Sequence, residues 1–103
     1  MNDLLMNISD LKVTIDEISS AFYQQNEKQG YQMFEKSYPA LIQIIDILLL
    51  MDDESKITEK EKGLISDYLM AALQALENKD TVLLADVLKY DVMELLSGVG
   101  RKL

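Results

Sequence analysis

Apolar residues recur along this 103-residue chain at intervals of three and four, the repeat of an amphipathic α-helix. Leu4, Ile8, Leu11, Ile15, Ile18 and Phe22 form one such seam, and the polar stretch "QQNEKQG" after it predicts that a first helix ends near Gln25. Asn2 and Ser9 are its two candidate N-caps, and Asn26 is placed to cap the next helix. Tyr31, Phe34, Tyr38, Leu41, Ile45 and Leu48 continue the spacing through a second helix. Pro39 lies inside that helix, where it removes a backbone donor and crowds the preceding turn. The apolar register passes through Pro39 unbroken, which predicts one kinked helix rather than two short ones with Ser37 as a new cap.

A loop is expected over about residues 52–57. "TEKE", Thr58 to Glu61, then reads as a capping box in which Thr58 caps and Glu61 reaches back. Leu64, Ile65, Tyr68, Leu69, Ala72, Leu73 and Leu76 mark a third helix. Asp80 caps a fourth, which is expected to stop near Ser97 with Gly98 as its left-handed terminal residue. No stretch shows the alternation of a strand. The pattern therefore predicts a single all-α domain over residues 1–103, a four-helix bundle of two antiparallel hairpins with helices at about 2–25, 27–51, 59–77 and 81–97.

The fourth helix is the informative one. At about 100° per residue, Leu84, Leu88, Val92, Val87 and Leu95 share a core-facing arc, with Asp91 in the middle of it. Asp91 is thus the candidate buried polar residue, with the tyrosines at 23, 31, 38 and 68 and Lys12 as possible partners. Val82, Leu83, Tyr90, Met93 and Leu96 fall outside that arc, so the helix is apolar nearly all round. In so short a chain such a helix is either central or covered by another chain. Val82, Leu83, Asp86, Tyr90 and Met93 are therefore the candidate partner surface, expected to join two copies of the chain, with Met70 of the third helix at its edge.

Composition narrows the chemistry. Net charge is −8, and residues 1–51 (seven acids, three bases) and 52–103 (eleven acids, seven bases) contribute −4 each. Acidity on both halves argues against nucleic acid and against anionic membrane surfaces as partners. The chain holds no cysteine and no histidine, which removes the thiolate, the commonest general base and the commonest metal ligand. The acids Asp86, Asp91 and Glu94 point in different directions on the wheel, and "DDESK" lacks the glycine and closing glutamate of a calcium loop. No catalytic, metal or cofactor site is expected. "MNDLLMNISD" has no signal-peptide character, and "ALIQIIDILLLM" is shorter than the ~20 apolar residues of a membrane span, so a soluble cytoplasmic protein is expected.

"ALENKDTVLLADVLKYDVMELL" resembles the C-terminal hairpin of a family of small uncharacterised all-helical proteins from Gram-positive bacteria. The shared pattern A-L-E-x-K-D-x-x-L-L-A-D-x-L-x-Y-[DE] falls on Ala75, Leu76, Glu77, Lys79, Asp80, Leu83, Leu84, Ala85, Asp86, Leu88, Tyr90 and Asp91. "FYQQNEKQGYQMFEKSYPALIQIIDIL" is similar to that family's earlier hairpin, although this chain lacks the family's tryptophan in the second helix and carries Asp91 where glutamate is usual. The resemblance implies a helical fold and no assigned activity. Size, acidity and pattern also give a more distant likeness to flagellar export chaperones, helical bundles that shield partner helices. The function expected from all this is a non-catalytic protein–protein interaction module, homodimeric, with an export-type chaperone as the alternative. A carboxylate- and tyrosine-based enzyme or a metal-binding bundle comes last.

Overall fold

The computed structural model describes residues 2–103, with the side chain of Asn2 left aside, and shows an all-α bundle. Its helices are α1 (Asn2–Tyr23), α2 (Glu27–Leu50), α3 (Glu59–Glu77), α4 (Thr81–Asp86) and α5 (Met93–Lys102). A π-helical segment, Val87–Val92, joins α4 directly to α5, so the three pieces form one continuous arm. The 24 residues of α2 span about 36 Å at 1.5 Å each, close to the 39 Å long axis of the molecule. The helices run up and down that axis. Ser19 lies beside Ala85 and Gly100 beside Leu5 and Ile8, so α1 is antiparallel to the arm.

α1 is the spine. Its seam, Leu4, Ile8, Leu11, Ile15, Ile18 and Phe22, is buried throughout, and it packs along both α2 and the arm. α3 packs on the arm, whereas α2 and α3 touch only sparsely. Ser9 lies inside α1, and the position before Asn2 is outside the described residues.

The two hairpin turns are copies of one device. Gln25 takes a left-handed φ of 63°, its N–H donates to Phe22 O at 3.0 Å, and the Asn26 N–H donates to Ala21 O at 2.8 Å. Lys79 takes φ 57°, with Lys79 N–H to Leu76 O at 3.1 Å and Asp80 N–H to Ala75 O at 2.9 Å. Each is a Schellman closure in which the residue after the left-handed one starts the next helix. This ends α1 at Tyr23, two residues before the expected Gln25. It also corrects the role of Asn26, whose side chain makes no capping bond, while the Asp80 carboxylate does accept from Leu83 N–H at 3.1 Å.

α2 continues through Pro39 as a single helix, as the unbroken register predicts, and Ser37 donates back to Phe34 O instead of starting a new one. The capping box at Thr58 is complete: Glu61 N–H reaches Thr58 Oγ1 at 3.1 Å, and Thr58 N–H reaches Glu61 Oε1 at 2.9 Å. Before it, Asp53 gathers the Ser55 N–H and hydroxyl, and the loop delivers Ile57 into the core at 1 % exposure. Sequence spacing gives no hint of that plug, because Ile57 belongs to no helical repeat.

The arm departs most from expectation. Leu96 is fully buried and Leu95 only half-buried, the reverse of the wheel. A π turn closes each hydrogen bond one residue later than an α turn, as in Met93 N–H to Leu88 O, so every residue beyond it lags by one position. Leu96 therefore takes the place an unbroken α-helix would give Leu95. The same widening turns Asp91 off the centre of the core face, and it is half-buried, not buried. Among the described residues the fully buried polar side chain is Ser19, whose hydroxyl lies 3.4 Å from Ala85 O. Gly98 does not cap the arm either. It sits inside α5, which runs on to Lys102 because Val99 is buried in the core and the Lys102 ammonium grips Glu61 at 2.6 Å.

Candidate functional site

The arm brings an aromatic and apolar face to the surface beside the end of α1. Val82 is 57 % exposed, Leu83 46 % and Tyr90 58 %, whereas Asp86 and Met93 are half-buried. Asp86 has a specific partner. Tyr23, in the last turn of α1, donates its hydroxyl to Asp86 Oδ1. Above them the Lys89 ammonium stands 5.7 Å from the Tyr23 ring centre and 6.0 Å from that of Tyr90, within cation–π range of both. Two tyrosines, one lysine and one aspartate thus form a small cluster flanked by Val82 and Leu83.

The sequence assigned tyrosine partners to Asp91. The structure gives Tyr23 to Asp86 instead, five positions earlier, because Asp86 ends α4 directly across from the last turn of α1. Burial, the bond to Asp86 and that carboxylate's charge hold the Tyr23 hydroxyl well above its ordinary titration range. At neutral pH the hydroxyl keeps its proton and serves as the donor in this bond. The cluster combines aromatic area with polar groups, and tyrosine is among the residue types enriched at interface anchors. Among the described residues, no group of three or more carboxylates is placed to hold a metal ion.

Other features were not read from the sequence. Met6 at 64 % and Val13 at 60 % exposure lie seven residues apart on the outside of α1, and Leu50 at 81 % ends α2. The spacing of Met6 and Val13, off the main seam, was the signal available. The sparse seam between α2 and α3 leaves an apolar groove of about 340 Å³ lined by Tyr31, Phe34, Glu35, Tyr38, Leu73 and Leu76. A second groove, about 510 Å³, runs between α1 and α2 with a mixed lining that includes Asp10, Glu17, Lys36 and Gln43.

Fold and surface together define a class: a small antiparallel helical bundle that carries an exposed, tyrosine-rich apolar face. The chain belongs to the family described as the domain of unknown function DUF8042, whose model matches residues 1–101. Membership of an uncharacterised family is what the hairpin pattern around Asp80 and Tyr90 implied. No curated protein and no solved structure matches the chain. Among the described residues, no helix is long and apolar enough to cross a membrane.

Proposed function

We propose that this protein is a non-catalytic, cytoplasmic protein–protein interaction module that self-associates through the outer face of its C-terminal arm. The supporting observation is the joint exposure of Val82, Leu83 and Tyr90 on the same arm whose other side carries Leu84, Leu88, Val92 and Leu96 into the core. Full burial of a large apolar side chain gains ~1.5–3 kcal/mol, and about half of each of these side chains is still open for a partner to cover. The Tyr23–Asp86 bond and the Lys89 ammonium give the face polar groups that fix orientation. Two-fold pairing of identical faces is the commonest way to cover such a surface.

Light scattering at micromolar concentration tests the reading, with a dimer expected. Leu83→Glu is expected to give a folded monomer, because Leu83 stands outside the core. A wild-type monomer, or a Leu83→Glu variant that stays dimeric, overturns this assignment of the face. The alternative, an export-type chaperone that shields a partner helix, draws its support from the open apolar seam between α2 and α3.

A further inference from the structure

The seam between α2 and α3 differs from the other helix pairs of the bundle. α1 closes tightly on α2 and on the arm, and α3 closes on the arm, but α2 and α3 stand apart. The gap is apolar on both walls: Tyr31, Phe34 and Tyr38 from α2, Leu73 and Leu76 from α3. Its floor is rigid. Phe34 is 4 % exposed and stacks obliquely on Tyr38 with ring centres 5.8 Å apart, and Tyr31 packs edge-to-face with Phe22, ring centres 5.2 Å apart. The depression does not stop at Tyr38. A shallow extension shares Glu35 and Tyr38 with it and continues over Pro39, Ile42 and Asp46. From Tyr31 to Ile42 the wall is about 16 Å long at 1.5 Å per residue, the length of three helical turns.

The charge along this trough has one sign. Its lining holds Glu35 and Asp46 and, among the described residues, no lysine or arginine. Lys36 lines the groove between α1 and α2 instead. We infer that the α2–α3 trough is a docking groove for a basic amphipathic helix of another protein, with apolar side chains set between the two tyrosines and Leu73 and with lysines or arginines over Glu35 and Asp46. This inference rests on the reading of the protein as an interaction module, but not on its self-association. A second copy of the chain fits the trough poorly, since it brings its own net charge of −8 against the same acids. An anionic membrane or a nucleic acid is repelled for the same reason. A helix lying in an apolar groove, anchored at positions i, i+3, i+4 and i+7, is an established mode of recognition, and the dimensions match it.

The test uses two labelled peptides of about sixteen residues that share one apolar helical face, one with lysine and arginine beside that face and the other with glutamate there. Fluorescence anisotropy measures binding to the full chain, and methyl and aromatic NMR shifts locate it. The basic peptide is expected to bind and to shift Tyr31, Tyr38, Leu73 and Leu76, with the acidic isomer at least about tenfold weaker. Glu35→Lys combined with Asp46→Lys, both at exposed positions, is expected to weaken the basic peptide and strengthen the acidic one. Leu83→Glu is expected to leave both affinities unchanged, which separates this groove from the self-association face. The inference is overturned if the basic peptide fails to bind at about 1 mM, a free energy of only ~4 kcal/mol. Equal binding of the two isomers, or shifts confined to Val82, Leu83 and Tyr90, overturns it too.

Discussion

Gly30 and Gly63 are both glycines inside helices, and the same substitution is expected to act on them with opposite sign. Alanine in a helix interior is favoured over glycine by ~1 kcal/mol, because glycine gives up more backbone freedom on folding. Around Gly63 nothing lies within 4 Å of where a Cβ would stand, so Gly63→Ala is expected to realise that gain in full. At Gly30 the added Cβ would stand 2.6, 2.7 and 2.9 Å from three atoms of the Phe22 ring. Carbon pairs prefer about 3.5–4.0 Å, so the ring must retreat by about 1 Å. It has little room to do so, since Phe22 is 2 % exposed and packed edge-to-face with Tyr31. Overpacking of this kind costs ~1–3 kcal/mol, and a rigid ring met by three atoms belongs at the upper end. The net expectation is a loss of ~1–2 kcal/mol for Gly30→Ala against a gain of ~1 kcal/mol for Gly63→Ala. For a domain of this size that separates the two melting temperatures by roughly 10 °C or more. Urea denaturation of both variants is the assay. Phe22→Leu combined with Gly30→Ala should lose less than the sum of the two single changes. If Gly30→Ala is stabilised as much as Gly63→Ala, the close approach of α1 and α2 at this point is wrong.

Three further expectations come from local geometry. Gln25→Gly and Lys79→Gly are each expected to stabilise the fold by ~0.5–1 kcal/mol, since both residues occupy the left-handed region that glycine enters without strain; destabilisation of either would show that the Schellman turn is misplaced. Glu61 is held below its ordinary carboxylate range chiefly by Lys102 and further by the Thr58 backbone and hydroxyl, with burial partly opposing. Its contribution is therefore present above about pH 4.3, the value in an unfolded chain, and is lost as pH falls through the lower folded value. Wild type should accordingly lose more stability than Glu61→Gln between neutral and acidic pH, as read from urea midpoints, and equal losses would refute the tie. Leu96→Ala is expected to cost ~2–5 kcal/mol and Leu95→Ala about 1 kcal/mol or less, and the reverse ranking would mean that the arm is an unbroken α-helix.

Where a residue's environment is set by its own helix, the spacing of apolar residues was enough to read it. The α1 seam, the α3 capping box, the Asp80 cap and the continuity of α2 through Pro39 are of this kind. What escaped depends on tertiary partners. Ile57 is a core residue because a loop swings it inward. Gly98 stays helical because Val99 and Lys102 are anchored to other elements. Tyr23 and Asp86 meet across 63 positions of sequence, and no local pattern announces the pair. At the candidate face, the exposure of Val82, Leu83 and Tyr90 was legible as apolar residues off the core arc. The role of Asp91 was misjudged because the wheel assumed a uniform helix.

That last error had a visible cause. Leu84, Leu88, Val92 and Leu96 are spaced four, four and four, and each step of four advances an α-helix about 40° past a full turn. Three such steps carry the stripe about 120° around the helix, too far for one core face to follow. The π segment at Val87–Val92 absorbs this drift and keeps all four residues buried. In effect it is one residue inserted into a helix. Deletion of Asp91 should then be tolerated. It leaves the core residues at steps of four, three and four, an ordinary α-helical stripe, with α5 still in register against α1 and the Lys102 ammonium still able to reach Glu61. Deletion of the exposed Met70 in α3, where no π turn exists, rotates every later residue of that helix by about 100° and should unfold the bundle. Circular dichroism and urea denaturation distinguish the two. If the Asp91 deletion unfolds as readily as the Met70 deletion, the π segment is not what sets the register of the arm. If it folds, Tyr90 has been turned relative to Tyr23 and Asp86, and self-association should weaken while the core stays intact.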